Sequence, residues 1–174
     1  MTIIIRKLQP HESPIYRELR LACLKNVPEY FGYTYEEEIL NPKWRFETFI
    51  ENSSPDHFIF GAFDNGNLIG IVGFDRMDRQ RARHRGEVVS LYVDSNYRGQ
   101  NIGENLLRRL LEHAFTLEGI EQIQLSVIAG NKGAIKLYEK IGFRSYGFQS
   151  HYFKAEDTYM DQNFMQLFKS DYQG

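Results

Sequence analysis

The run Arg98-Gly99-Gln100-Asn101-Ile102-Gly103 combines glycines with an asparagine at a point where strand signals give way to helix signals. Before it lies Glu87-Val88-Val89-Ser90-Leu91-Tyr92-Val93, dense in β-branched and aromatic residues and therefore strand-like. After it come Leu106, Leu107, Leu110, Leu111 and Phe115, apolar at three- and four-residue steps, the spacing of a buried helix face. A strand that turns through glycines into a helix leaves the first helical N–H groups unpaired, at the positive end of the peptide dipoles. The chemistry this invites is capture of a phosphate or pyrophosphate. The alternative is structural, with Gly99 and Gly103 only turning the chain and letting the helix pack closely. The spacing is not the G-x-G-x-x-G of a dinucleotide-binding turn, and no Gly-Lys-Ser/Thr follows to make a P-loop.

A second pattern lies downstream. Asn131 to Phe143 reads N-x-x-A-x-x-L-Y-x-x-x-G-F. Asn131 suits a helix N-cap, Gly142 suits the position just past a helix end, and Ala134, Leu137, Tyr138 and Ile141 recur at helical spacing. No Cys/His or Ser/His arrangement suggests a covalent nucleophile. Cys23 is the only cysteine, so no intrachain disulfide forms and a reducing compartment suits the chain. It falls in an amphipathic stretch, where a buried thiol is the expectation.

The elements around these motifs follow from periodicity and punctuation. Residues 2–8 read as a first strand, and 10–26 as a helix with Ile15, Leu19, Ala22 and Cys23 on one face, ended by Pro28. Tyr30, Phe31, Tyr33 and Tyr35 then surround Gly32, just before the acidic triplet Glu36-Glu37-Glu38. Such a run either fills a core or lines a substrate pocket. Trp44, Phe46, Phe49 and Ile50 mark a second helix. Residues 57–64 and 68–74 form a hairpin about Asn65-Gly66, and 78–85 a polar connection. A helix over 102–117 ends near Gly119, and Ile123 to Ile128 make a fifth strand, parallel to 87–93 because a helix separates the two. The tail reads as two antiparallel strands, 142–148 and 159–168, about a polar turn at 154–157.

The chain of 174 residues shows no repeat or linker, so one α/β domain over 1–174 is expected. With 42% hydrophobic and 25% charged residues it has a globular composition, which excludes a disordered chain. A formal charge of −2 argues against a nucleic-acid partner. The basic cluster Arg76, Arg79, Arg81, Arg83 and Arg85 is interleaved with Asp75 and Asp78 and reads as a solvated connection. No apolar run is long enough to cross a membrane, and the start lacks a signal peptide's features, so a cytoplasmic protein is expected.

Together the two motifs resemble the GNAT superfamily of acyl-CoA-dependent N-acyltransferases. The loop matches that family's Q/R-x-x-G-x-G/A position about thirty residues upstream of the second motif, and the strand order matches along essentially the whole chain. The opening third also resembles bacterial members of uncharacterised specificity. The resemblance implies a GNAT fold: a mixed sheet of about six to seven strands with flanking helices and a parallel pair splayed at the cofactor. It implies acetyl-CoA as cofactor and no metal. Backbone groups of Arg98, Gly99, Gln100, Asn101, Ile102 and Gly103 would hold the pyrophosphate. Leu91, Tyr92 and Val93 would line the pantetheine, and a backbone N–H there would stabilise an oxyanion. Asn131, Ala134 and Tyr138 would contact the thiol arm. One departure is Asn101, where the family usually has glycine. Asn tolerates a left-handed backbone, though its side chain could crowd the pyrophosphate.

The resemblance also assigns chemistry. An amine attacks a thioester only as the free base, so a proton acceptor is required. Glu87, eleven residues before Arg98, matches a basic glutamate of some members; otherwise it is a surface carboxylate, and His84 and His151 are runners-up. Tyr138 matches the family's usual acid for the departing thiolate, or else is a core tyrosine. Direct transfer in a ternary complex to a primary amine of a small molecule or peptide is the expected reaction. Tyr30, Phe31, Tyr33, Tyr35 and His151, with Tyr152, Tyr159 and Glu36 to Glu38, would form an acceptor pocket suited to a cation. The rivals are a non-catalytic acyl-CoA sensor on the same fold, and an unrelated α/β interaction domain whose glycine loop is structural. Homodimers are common in the family, but nothing in these residues establishes one.

Overall fold

Asn65 and Gly66 take positive φ values of 48° and 87°, the left-handed pair that a two-residue hairpin loop requires. They join β2 (His57–Asp64) to β3 (Asn67–Arg76), an antiparallel pair within a seven-stranded sheet. The computed structural model describes residues 2–174. From edge to edge the sheet runs β1 (Ile3–Lys7), β2, β3, β4 (Arg85–Val93), β5 (Gln122–Ile128), β7 (Thr158–Phe168) and β6 (Arg144–Ala155). All neighbours are antiparallel except β4 and β5, the parallel pair expected from the intervening helix.

Every residue of β2 is buried because helices cover both faces of the sheet. One face carries α1 (Ser13–Asn26) and α3 (Arg45–Glu51), which enclose Leu19, Cys23, Trp44, Ile50, Ile59 and Ile71. The other carries α4 (Ile102–Ala114), whose leucines meet Phe58, Phe60 and Phe74. The second motif forms α5 (Lys132–Ile141), adding Tyr138 and Ile141 to that cluster and stopping at Gly142, where φ is 113°. Leu110 is fully buried there. Leu110→Ala is expected to destabilise the fold by about 2–5 kcal/mol, through lost burial plus the cavity left behind. Urea denaturation checks this: the midpoint should fall with the slope unchanged.

The sequence reading is corrected in four places. Residues 10–12 form a 3-10 turn, and α1 begins at Ser13, behind Glu12. A further helix, α2 (Tyr35–Leu40), follows the aromatic run; the Thr34 hydroxyl accepts from the Glu37 N–H at 3.2 Å, and the Glu37 carboxylate accepts from the Thr34 N–H at 3.0 Å. The acidic triplet is thus the first turn of a capped helix, where negative charge faces the positive end of the dipole. Helix α4 ends at Ala114, not near 117. The last hairpin is longer than expected, because β6 continues past 148 through irregular pairing with β7 between Gln149 and Phe153, where His151 takes φ 54°.

Two arginines of the basic cluster form ion pairs. Arg76 and Arg83 converge on Asp56 at 2.9 and 2.6 Å, while Arg45 bonds Asp75 at 2.6 Å. Through Arg83 and Asp56 the 77–84 connection is tied to the residue before β2.

Candidate active site

Strands β4 and β5 pair only at Arg85–Glu87 against Gln122–Gln124. Beyond Glu87 they part. The cause lies in β4, where Ser90 takes φ 57° and the register against β3 slips between Ile71 and Gly73. An extra residue in one strand bends it and increases its twist. Past the bulge, the Asp94 N–H bonds the Ile69 carbonyl at 2.8 Å. Hydrogen-bonding residues alternate along an antiparallel strand, so Tyr92 turns its backbone groups to β3, and Leu91 and Val93 turn theirs into the opening.

At the end of β4 the chain passes Gly99, φ 77°, and enters α4 through Asn101, φ 58° and ψ 14°. Asn101 thus holds the left-handed conformation for which glycine is the usual residue. Its side chain caps no amide. The first helical bond is Asn105 N–H to the Asn101 carbonyl, leaving the N–H groups of Ile102, Gly103 and Glu104 without a helical partner. Close packing does not explain Gly103, since a Cβ there would meet Val93 at an ordinary 3.7 Å. The first turn of α4 therefore offers bare amides to an anion, as a pyrophosphate needs.

A cavity of about 960 Å³ runs from this turn through the opening between the strands. Leu91, Val93, Arg98, Gly99, Asn101, Ile102 and Gly103, which the family resemblance assigns to the cofactor, line it. Gln100 does not, and Tyr92 lies on the lining although its backbone serves the β3 pairing. Asn131 and Ala134 line the opposite wall, where the Asn131 Oδ1 accepts from the Ala134 N–H at 3.2 Å and so caps α5. Two buried oxygens on the lining, the Tyr92 hydroxyl and Gln162 Oε1, have no hydrogen-bond partner among the described residues. Unpaired buried polar atoms beside a cavity mark places where a ligand can supply the bond.

Glu87 and Tyr138 both line this cavity. Glu87 stands where the strands separate, paired across to Asp75 on one side and Gln124 on the other. It is mid-strand, not the strand-end carboxylate that was the alternative. Burial raises its pKa, and the nearby Asp75 carboxylate adds to the shift. Gly86 beside it admits no side chain, since a Cβ would come within 2.2 Å of the Phe74 ring. Burial likewise raises the pKa of Tyr138, whose phenol stays protonated. No protein group bonds its hydroxyl among the described residues.

The acceptor-side reading is half corrected. Tyr30, Phe31 and Tyr33 line the cavity; Tyr35 and His151 do not. Tyr35 opens α2, and His151 is exposed on the β6 bulge, stacked on Tyr159 at 4.3 Å between ring centres. Glu36 to Glu38, Tyr152 and Tyr159 are also absent from the lining, so the acidic pocket is overturned. His84 lies outside it as well. In their place stand Arg20, Phe153 and Gln162, which the sequence reading missed. Gly32 was the available signal: a Cβ there would fall 2.4 Å from the Phe153 ring, so this glycine lets the aromatic run press against β6. Cys23 is fully buried and its thiol is pushed up to about 12 by burial, which leaves it inert.

Among the described residues no cluster of three or more metal-binding side chains occurs, and no helix is long and apolar enough to cross a membrane. Residues 16–143 match the profile of the acetyltransferase (GNAT) family. The N-alpha-acetyltransferase RimI of Mycobacterium tuberculosis is 35% identical over 105 residues, which cover 60% of this chain and 63% of that protein, so the chain spans less than two thirds of its relative. The crystal structure of a GNAT acetyltransferase from Streptococcus pneumoniae superposes with a TM-score of 0.81 and 25% identity, covering 96% of this chain and 99% of that one. The fold is shared as closely by yncA from Salmonella typhimurium, a putative acetyltransferase solved with acetyl-CoA, at a TM-score of 0.81 and 17% identity over 100% and 98% of the two chains.

Proposed function

The chain belongs to the GNAT acetyltransferase family, and from that premise we propose that it moves an acetyl group from acetyl-CoA to a primary amine held in the same cavity. One observation carries the reading: a single cavity joins the uncapped first turn of α4 to Glu87 and Tyr138. The residues present fit the cofactor. The bare amides at Ile102, Gly103 and Glu104 suit its pyrophosphate, and the Leu91 and Val93 backbone groups suit the amides of its pantetheine arm. Bound acetyl-CoA supplies an activated acyl thioester.

This chain's residues then manage protons. Glu87 takes one from the acceptor ammonium, and its raised pKa brings its basicity closer to the working pH. Tyr138 holds a proton where the sulfur departs. Nitrogen loses two protons in all: one leaves by Glu87, and one balances the proton gained by the thiol. A reducing, cytoplasmic setting suits the free thiol of Cys23.

Calorimetric titration with acetyl-CoA, followed by thiol-release assays over an amine panel, tests the reading. Saturable binding with amine-dependent release is expected, and absence of acetyl-CoA binding would end it. The loop carries its own prediction. Asn101→Gly keeps the left-handed turn and should bind acetyl-CoA at least as tightly as the parent. Asn101→Ala must pay about 1–2 kcal/mol for that backbone, so roughly a 5- to 30-fold weaker Kd is expected. Equal affinities for the two variants would remove the backbone argument.

A further inference from the structure

We propose that Arg20 binds a carboxylate of the acceptor, so that the amine this enzyme acetylates carries an anionic group, as an amino acid does. The inference deepens the acetyltransferase reading and rests on it. Arg20 lies on α1, is only 7% exposed and lines the cavity. A guanidinium keeps its charge in proteins and offers five donors. Here its one hydrogen-bond partner among the described residues is a thiol, Cys23 Sγ, at 3.8 Å from Nη1. Its flat face rests on Phe31, 4.7 Å from the ring centre. It has no ion-pair partner among the described residues, whereas Arg17, one turn earlier on the same helix, bonds Glu47 at 2.5 Å.

A buried charge without a counter-charge is costly, and native structures usually pair it. Glu38 is close enough for Arg20 to act on it through space, yet burial still leaves that carboxyl above its ordinary range, which a formed ion pair would not. The charge of Arg98 also reaches the Cys23 thiol, which adds positive potential beside Arg20. Tyr92 belongs to the same buried cluster as Leu19 and Cys23 of α1, and its hydroxyl has no hydrogen-bond partner among the described residues. Phe31, Tyr30 and Phe153 give the surroundings an aromatic wall. A planar fork beside aromatic rings suits bidentate capture of a carboxylate, with the acceptor's side chain against the rings. This reverses the cationic acceptor that the acidic triplet suggested.

The test uses matched acceptors that differ only by the carboxylate: L-phenylalanine with phenethylamine, and L-methionine with 3-(methylthio)propylamine. CoA release is followed for the parent protein, Arg20→Gln and Arg20→Lys, with the acetyl-CoA Kd of each measured by calorimetry. At least a tenfold higher kcat/KM for the carboxylate-bearing member is expected in the parent. Arg20→Gln should erase that preference through KM and leave the acetyl-CoA Kd within about twofold. Arg20→Lys keeps the charge without the fork, should retain part of the preference, and serves if Arg20→Gln does not fold. Equal turnover of both members, or release only from the decarboxylated ones, overturns the inference while the acetyltransferase reading stands. A loss of acetyl-CoA affinity in Arg20→Gln that matches its loss of turnover overturns it too, since the anion is then a cofactor phosphate. Acetyl-CoA binding without release from any of these amines removes the acceptor class. Failure of the parent to bind acetyl-CoA removes the acetyltransferase reading and the inference together.

Discussion

Tyr138→Phe should lower kcat by roughly 10²- to 10⁴-fold, the range for losing a positioned proton donor, while the acetyl-CoA Kd changes by less than about threefold. The ring is buried among α5 and core residues, and its hydroxyl has no protein partner among the described residues, so its removal leaves none of them unpaired. Stability should therefore stay within about 0.5 kcal/mol of the parent. That separation matters because a core tyrosine and a catalytic one make opposite predictions. A structural role would register in the thermal midpoint and spare turnover. The direction of the pKa shift refines the role further. Burial disfavours the phenolate, so in the proposed reaction the hydroxyl would act by holding its proton against the departing sulfur, with solvent restoring any proton given up. Loss of the rate effect with acetyl thioester donors whose leaving thiols are strongly acidic would agree with this assignment, and equal losses in kcat and acetyl-CoA affinity would refute it.

How far the sequence anticipates this site depends on whether a residue's position is decided locally. The loop at Arg98–Gly103 and the helix from Asn131 carry their own caps, turns and periodicity, so both elements lie where sequence spacing puts them. Asn101 was expected to tolerate a left-handed backbone, and its φ of 58° bears that out. The opening between β4 and β5 depends on a bulge at Ser90, and no glycine or proline marks it in the strand. Its position was expected only from the family resemblance. The acceptor side was less readable still. Whether an aromatic faces the cavity depends on where α2 begins and on the β6 bulge, which sends His151 outward and leaves Phe153 inside. Nothing in the local pattern of α1 distinguishes Arg17, paired with Glu47, from Arg20, because partners about thirty residues away decide it.

The acidic triplet is instructive for a related reason. Three consecutive glutamates look like a cation site when only composition is considered. The Thr34 cap accounts for them more simply, since each lies in the first turn of α2, where negative charge is favoured. Charge that satisfies a helix end is not thereby available to a ligand. Arg20 is the converse case, a charge held against a thiol and an aromatic ring with no ion-pair partner among the described residues.

Glu87→Gln should remove the acidic limb of the pH profile of kcat/KM and reduce its plateau by roughly 10²-fold or more. The parent's rate should rise as pH climbs through the folded pKa of Glu87, which lies above the ordinary carboxylate range because of burial and Asp75. Stability supplies an independent readout with a defined sign. A carboxyl whose folded pKa exceeds its unfolded one contributes stability that is fully present below the unfolded pKa and is lost as pH rises through the folded pKa. Glutamine cannot ionise, so Glu87→Gln should match the parent at acidic pH and exceed it at neutral pH, where the parent holds a desolvated charge. Denaturation midpoints at both pH values measure this directly. The two results together identify a base maintained at a cost to the fold: slower turnover with a neutral-pH gain in stability. An unchanged acidic limb would assign the base elsewhere, and a loss of stability at neutral pH would make Glu87 structural.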